Sequence, residues 1–140
     1  MGTYLERAQE LRAITDPHYN CAQSVLVPFA EEAGYSTEQA CAMAQAFGQG
    51  MQTGNTCGAL TGALMALGLL GLADRRTVVD ITRRMKANHD GTMLCRDLLR
   101  KNAELGRERK PHCDAMVYEA VGIVEEILAQ RDAAASTEQA

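Results

Sequence analysis

The chain contains no tryptophan and only six aromatic residues, Tyr4, Tyr19, Phe29, Tyr35, Phe47 and Tyr118. A base-stacking platform for nucleic acid uses more aromatic surface than that. The net charge of −4 argues the same way, and we expect no nucleic-acid partner. β-branched residues are sparse and strict apolar/polar alternation is absent, so no segment reads as a strand. No apolar h-region accompanies the N-terminal Glu6, Arg7 and Glu10, so we expect no signal peptide and a cytoplasmic protein. Charge is missing from Gln39 to Ala73, and Ala63–Ala73 is wholly apolar plus glycine. A bilayer span needs about 20 apolar residues, and a shorter run is a buried core helix. We therefore expect no membrane span.

The charge that is present is unevenly placed. The stretch 75–110 holds 11 of the 14 Lys/Arg against 5 acidic residues, and the rest of the chain holds 3 against 13. A solvated helical face accounts for the basic stretch, and docking of an acidic partner is the alternative. With 140 residues, 46% of them hydrophobic, the chain suits one domain with one core. We assign it to residues 1–132, with a frayed tail at 133–140.

Helical spacing of apolar residues runs nearly throughout. Thr3-x-x-Glu6 reads as a capping box for a first helix ending at Pro17. Asn20, with Gln23 at N3, caps a second helix to Gly34, in which Pro28 predicts a kink or break. Ser36-x-x-Gln39 starts a third, with Ala40, Cys41, Ala44 and Phe47 inward. Residues 48–55 form a glycine-rich loop. Thr56 then caps a fourth helix from Cys57 to about Leu70, apolar on every side and hence central. Gly58, Gly62 and Gly68 weaken it by about 1 kcal/mol each relative to alanine. Such a cost implies close approach of a neighbour or a ligand. Asp74 begins a fifth helix with Val78, Val79, Ile81 and Met85 inward, and Thr92 caps a sixth with Leu94, Cys95, Leu98 and Leu99. After a loop at 106–110, Pro111 opens the last helix. The fold class is all-α: a single-domain bundle of six or seven helices around a central apolar helix. The stripe of the last helix continues to Leu128, more than a peripheral helix needs, and this leads us to expect a homodimer.

Five cysteines without a secretory leader do not make an extracellular disulfide framework. No Cys-x-x-Cys occurs, so neither a thioredoxin-type motif nor a zinc knuckle applies, and without Cys-x-x-Cys-His no covalent c-type haem is expected. Position relative to the helices says more. Cys21, Cys57, Cys95 and Cys113 all fall in the first turn of a predicted helix. Free N–H groups and the positive end of the helix dipole favour a thiolate there. A thiol so placed is a better nucleophile or metal ligand at neutral pH. Cys41 lies mid-helix on an apolar stripe and reads as a small hydrophobe. His18, His89 and His112 lie near cysteines in sequence. A nitrogen ligand or proton relay would use them, while a solvated histidine is the ordinary reading.

Asn20-Cys21-Ala22-Gln23-Ser24, Gly48-x-Gly50-Met51 and Gly54-x-Thr56-Cys57-Gly58-Ala59-Leu60-Thr61-Gly62 together resemble the C-GCAxxG-C-C family of redox-active proteins. The resemblance covers roughly residues 18–125. Cys95, in Cys95-x-x-Leu98-Leu99, and Cys113, after Pro111-His112, match the family's two later cysteines, and Cys41 is extra. The resemblance implies a redox role inferred from the cysteines, with no substrate attached. It also implies a relation to the helical region of split-Soret cytochromes, where an iron–sulfur site has been suggested.

Three functions follow for comparison. In the first, Cys57 and one partner among Cys21, Cys95 and Cys113 cycle between dithiol and disulfide with an unknown redox partner. In the second, the four thiolates hold an iron–sulfur cluster or zinc, with Gly58 and Gly62 letting backbone approach the cofactor. In the third, the bundle is a non-enzymatic binding module. Cys57 should be the most reactive thiol, because a glycine loop precedes it and Gly58 follows, leaving its sulfur the least crowded.

Overall fold

The computed structural model describes residues 3–139, with the side chains of residues 4–135. It contains seven α-helices: α1 (Thr3–Ala13), α2 (Cys21–Glu32), α3 (Thr37–Ala44), α4 (Gly58–Leu69), α5 (Arg75–Asn88), α6 (Cys95–Glu104) and α7 (Arg109–Gln139). Among the described residues the only β-type pairing is an isolated antiparallel bridge between Thr56 and Leu94. The all-α bundle expected from the periodicity is what forms. No helix among the described residues is long and apolar enough to cross a membrane.

Side-chain caps set the starts of α2, α3 and α5. The Asn20 side chain accepts from Gln23 N at 2.8 Å while Asn20 N donates to Gln23 Oε1 at 2.9 Å. Ser36 and Gln39 repeat this exchange at the start of α3. Each box satisfies amides that the helix leaves without partners. Asp74 caps α5, accepting from Thr77 N at 3.2 Å. The capping box expected at Thr3 lies outside the described side chains.

Four details differ from the sequence reading. Pro28 does not break α2, which runs unbroken from Cys21 to Glu32 with Pro28 buried. Proline inside a helix costs about 3 kcal/mol, and burying the apolar face of α2 outweighs that. Val79 is half exposed, leaving Ile81 and Met85 as the buried residues of α5. α6 starts at Cys95 rather than after Thr92, whose hydroxyl accepts from Leu94 N at 3.2 Å and donates to Asp97 at 3.1 Å. α7 starts at Arg109, so Pro111 is its third residue, still within the turn whose amides need no partner.

The core is one contiguous apolar cluster. α4 takes the central place together with α2, and α1 and α7 pack around them. Phe29, Leu67, Ile81, Met85, Met116, Val121 and Val124 are fully or almost fully buried there, each large side chain contributing about 1.5–3 kcal/mol. Tyr4 stacks on Phe29 with ring centroids 4.4 Å apart. Glycine brings α4 against α2. A Cβ on Gly62 would lie 2.7 Å from Ala22 O, and one on Gly58 would lie 3.0 Å from Phe47 O and 3.3 Å from Ala22 N. The propensity lost at these glycines is thus exchanged for close helix packing. The α7 stripe, Met116, Val117, Ala120, Val121, Val124 and Leu128, is buried within this single chain. It therefore offers no argument for a dimer.

Candidate functional site

Cys21, Cys57, Cys95 and Cys113 line one cavity of about 760 Å³. All are free thiols. Cys41 lies elsewhere, on α3, packed partly against the core. The tertiary structure brings the four cysteines together by two separate fastenings.

The first joins Cys57 to Cys95. Cys57 N donates to Met93 O at 2.7 Å, and Cys95 N donates to Asn55 O at 2.6 Å, either side of the Thr56–Leu94 bridge. The segments entering α4 and α6 are thereby held side by side. Cys57 is the N-cap of α4 and Cys95 the first residue of α6. Cys57 is only 5% exposed, which corrects the expectation of a least-crowded sulfur. Burial pushes its thiol up to about 11, against the opposing pull of the Ala59 and Leu60 amides. Burial also raises the Cys95 thiol, with the charge of Cys113 adding to it.

The second fastening joins Cys21 to Cys113 and centres on Arg12. This guanidinium is 5% exposed. Its Nε donates to Asp114 Oδ1 at 2.6 Å and its Nη1 to Tyr19 O at 2.8 Å. Lys110 Nζ donates to Arg12 O at 2.8 Å and to Asp114 Oδ2 at 3.0 Å. The end of α1, the approach to Cys21 and the start of α7 are thus locked around one buried cation. Breaking such a pair strands a charge, which costs about 3–5 kcal/mol.

Within this lock the two thiols differ sharply. Cys113 is drawn down to about 6, chiefly by the hydrogen bond from Cys21, then by the hydrogen bond and charge of Arg109 and the charge of Arg12, with burial opposing. The Cys21 thiol is pushed well above its ordinary value by the same hydrogen bond and by burial. Cys113 is thus the more acidic of the two thiols and Cys21 the less acidic. Cys113 is the fifth residue of α7, beyond the first turn where the sequence puts it. Its acidity comes from Arg109, one helical turn before it, and from Cys21 rather than from free amides.

The remaining wall includes a strained turn. Gln49, Gly50, Met51 and Gln52 all have positive φ, between 54° and 63°. Three are not glycine, and left-handed backbone costs such residues about 1–2 kcal/mol each. The turn is held by Asn55 N donating to Gly50 O at 3.0 Å and Asn55 Nδ2 to Thr53 Oγ1 at 2.8 Å. A Cβ on Gly48 would collide with the Asn20 side chain at 2.6 Å, so the turn seats directly on the α2 cap. Gln49 and Gln52 line the cavity.

Gly58 also lines the cavity, whereas Gly62 faces Ala22 and does not. His18 and His112 stand in the lining. Burial and the charge of His89 hold His112 below the ordinary imidazole range. His89 is turned to Glu119, 2.8 Å from its Oε1. Among the described residues, no three His, Cys, Asp or Glu side chains are grouped so as to hold a metal ion. The sequence reading missed Arg12 and Arg109. Arg109 sits four residues before Cys113, a helical neighbour, but lay in what was expected to be a loop.

Neither a curated protein nor a solved structure matches the chain. A family model described as "putative redox-active protein (C_GCAxxG_C_C)" matches residues 19–127. With the match covering most of the chain and every cysteine, the protein belongs to the C_GCAxxG_C_C family.

Proposed function

We propose that the protein performs thiol–disulfide exchange, with Cys113 as the attacking thiolate and Cys21 as the resolving thiol. The observation that carries this reading is that Cys21, Cys113 and Arg109 line one cavity, with the Cys113 thiol lowered and the Cys21 thiol raised. An attacking thiol works best when its pKa lies near ambient pH, and a resolving thiol must wait in reach as the protonated partner. In the exchange the Cys113 thiolate attacks one sulfur of a disulfide substrate. A mixed disulfide forms and one substrate thiolate leaves. Cys21 then loses its proton and attacks Sγ of Cys113, releasing the second substrate thiolate. The substrate gains two electrons and the chain ends with a Cys21–Cys113 disulfide, which an external dithiol reduces again. Closing that bond requires Cα atoms within about 7 Å.

Cys57 and Cys95 are not the attacking thiols in this scheme, since burial raises both. The test is to purify the protein anaerobically, assay iron, zinc and free thiols, and react the reduced chain with one equivalent of 2-hydroxyethyl disulfide. A metal-free protein yielding a Cys21–Cys113 disulfide, mapped by mass spectrometry and lost in Cys113→Ser, supports the proposal. Stoichiometric iron or zinc bound through the four cysteines overturns it in favour of a metal centre.

A further inference from the structure

The cavity has a marked charge bias. The chain carries 18 Asp/Glu against 14 Lys/Arg, yet among the described residues no carboxylate lines the cavity around the cysteines. Arg12, Arg109 and Lys110 do, with His18 and His112. Asp114, just outside, is shared between Arg12 and Lys110 and can offset only one of them. Arg109 forms no ion pair with a carboxylate among the described residues, and its proximity lowers the Cys113 thiol. Arg109 and Lys110 are both exposed, so their charge faces whatever enters. They open α7, whose N-terminal dipole adds positive potential at the same place. A cavity with low-dielectric walls and one sign of charge concentrates ligands of the other sign. A volume of about 760 Å³ suits a small molecule rather than a folded protein, since such pockets span about 300–1,000 Å³.

From this we infer that the disulfide substrate is a low-molecular-weight anion, with carboxylates that meet Arg109 and Lys110 while its sulfurs reach Cys113. The inference rests on the exchange reading above and names the substrate class for it. The electron balance is that of the exchange already written: an acidic disulfide is reduced to two acidic thiols. The carboxylates take no part beyond binding. Lys110 and Arg109 position them, and Arg109 also holds the Cys113 thiolate.

The experiment compares three alkyl disulfides of different charge: dithiodiglycolate (dianion), 2-hydroxyethyl disulfide (neutral) and cystamine (dication). The reduced full-length protein reacts with each at low and high ionic strength. Each rate is divided by that of free mercaptoethanol with the same disulfide, which removes intrinsic reactivity. Ratios between probes also cancel the thiolate fraction of Cys113. The normalised rates should fall in the order dianion, neutral, dication, with about tenfold or more between the extremes. Salt should compress that spread, since it screens exposed charge. In Lys110→Gln and in Arg109→Gln the spread should narrow, whatever happens to the absolute rate. Equal normalised rates in the wild-type protein, or a preference for cystamine, would overturn the inference while leaving exchange standing. Reaction of none of the three at Cys113 would instead defeat the exchange reading on which it rests.

Discussion

The two cysteine pairs share one cavity but not one chemistry. Cys57 and Cys95 stand at helix starts as the sequence predicts, yet burial raises both thiols. Cys113 stands beyond the first turn of its helix, and it alone among the four is drawn down, to about 6. Helix position is therefore the weaker influence here. A thiol at a helix terminus gains from amides and dipole, but desolvation opposes the charged form more strongly when the sulfur is enclosed. A neighbouring guanidinium and a donating thiol reverse that balance for Cys113.

The largest expected effect comes from setting the pairs against each other directly. At pH 7 a thiol of pKa about 6 is mostly ionised, and one of about 11 is ionised to the order of one part in ten thousand. The more acidic thiolate is intrinsically less nucleophilic, which gives back about two powers of ten. Iodoacetamide should label Cys113 about 100-fold faster than Cys57, as followed by peptide mass spectrometry on the reduced, metal-free protein. Equal labelling would erase the distinction between the pairs.

Next in size is a packing test of the Cys57 side. Gly62→Ala puts a methyl 2.7 Å from Ala22 O, and backbone cannot yield as a side-chain tip can. A loss of about 1–3 kcal/mol is expected from overpacking, read from urea denaturation midpoints. Gly122, within α7, has nothing within 4 Å of its Cβ position. Gly122→Ala should therefore stabilise by about 0.5–1 kcal/mol. The two substitutions should have opposite signs, and a Gly62→Ala variant as stable as the wild type would deny the close helix contact.

Arg109→Gln sharpens the comparison from the other side. Removing that charge should move the midpoint of the Cys113 labelling profile up by about one unit, while the Cys57 profile stays in place. An unmoved Cys113 midpoint would assign its acidity to Cys21 and Arg12.

The smallest effect lies outside both pairs. Arg7 Nε donates to Glu31 Oε1 at 2.9 Å and holds that carboxyl below its ordinary value. A depressed carboxyl contributes stability that is present above its unfolded pKa and is lost as pH falls through the folded value. Arg7→Gln should thus cost about 0.2–1 kcal/mol at pH 7. The gap to the wild type should close as pH falls below the ordinary carboxylate range.

Most of the fold was legible locally. The boxes Asn20/Gln23 and Ser36/Gln39 name their helix starts, because a cap and its N3 partner lie within one turn. The apolar run of α4 and its glycines announce a central helix in close contact. Pro28 misled because propensity is a local quantity and burial outweighed it. At Pro111 the reading started α7 two residues late. That left Arg109 in a loop and hid its position one turn before Cys113.

The sequence by itself determined the all-helical class, most helix boundaries, and a set of four cysteines at or near helix starts. Periodicity, caps and glycine positions act over a few residues and are written in order along the chain. Only the tertiary structure decided which cysteines share a cavity and which thiol is lowered. Arg12 meets Asp114 across 102 positions of chain, and the Thr56–Leu94 bridge joins the segments leading into α4 and α6, which α4 and α5 separate along the chain. A thiol's pKa depends on burial and on charges a few ångströms away, and the packing of distant segments sets both.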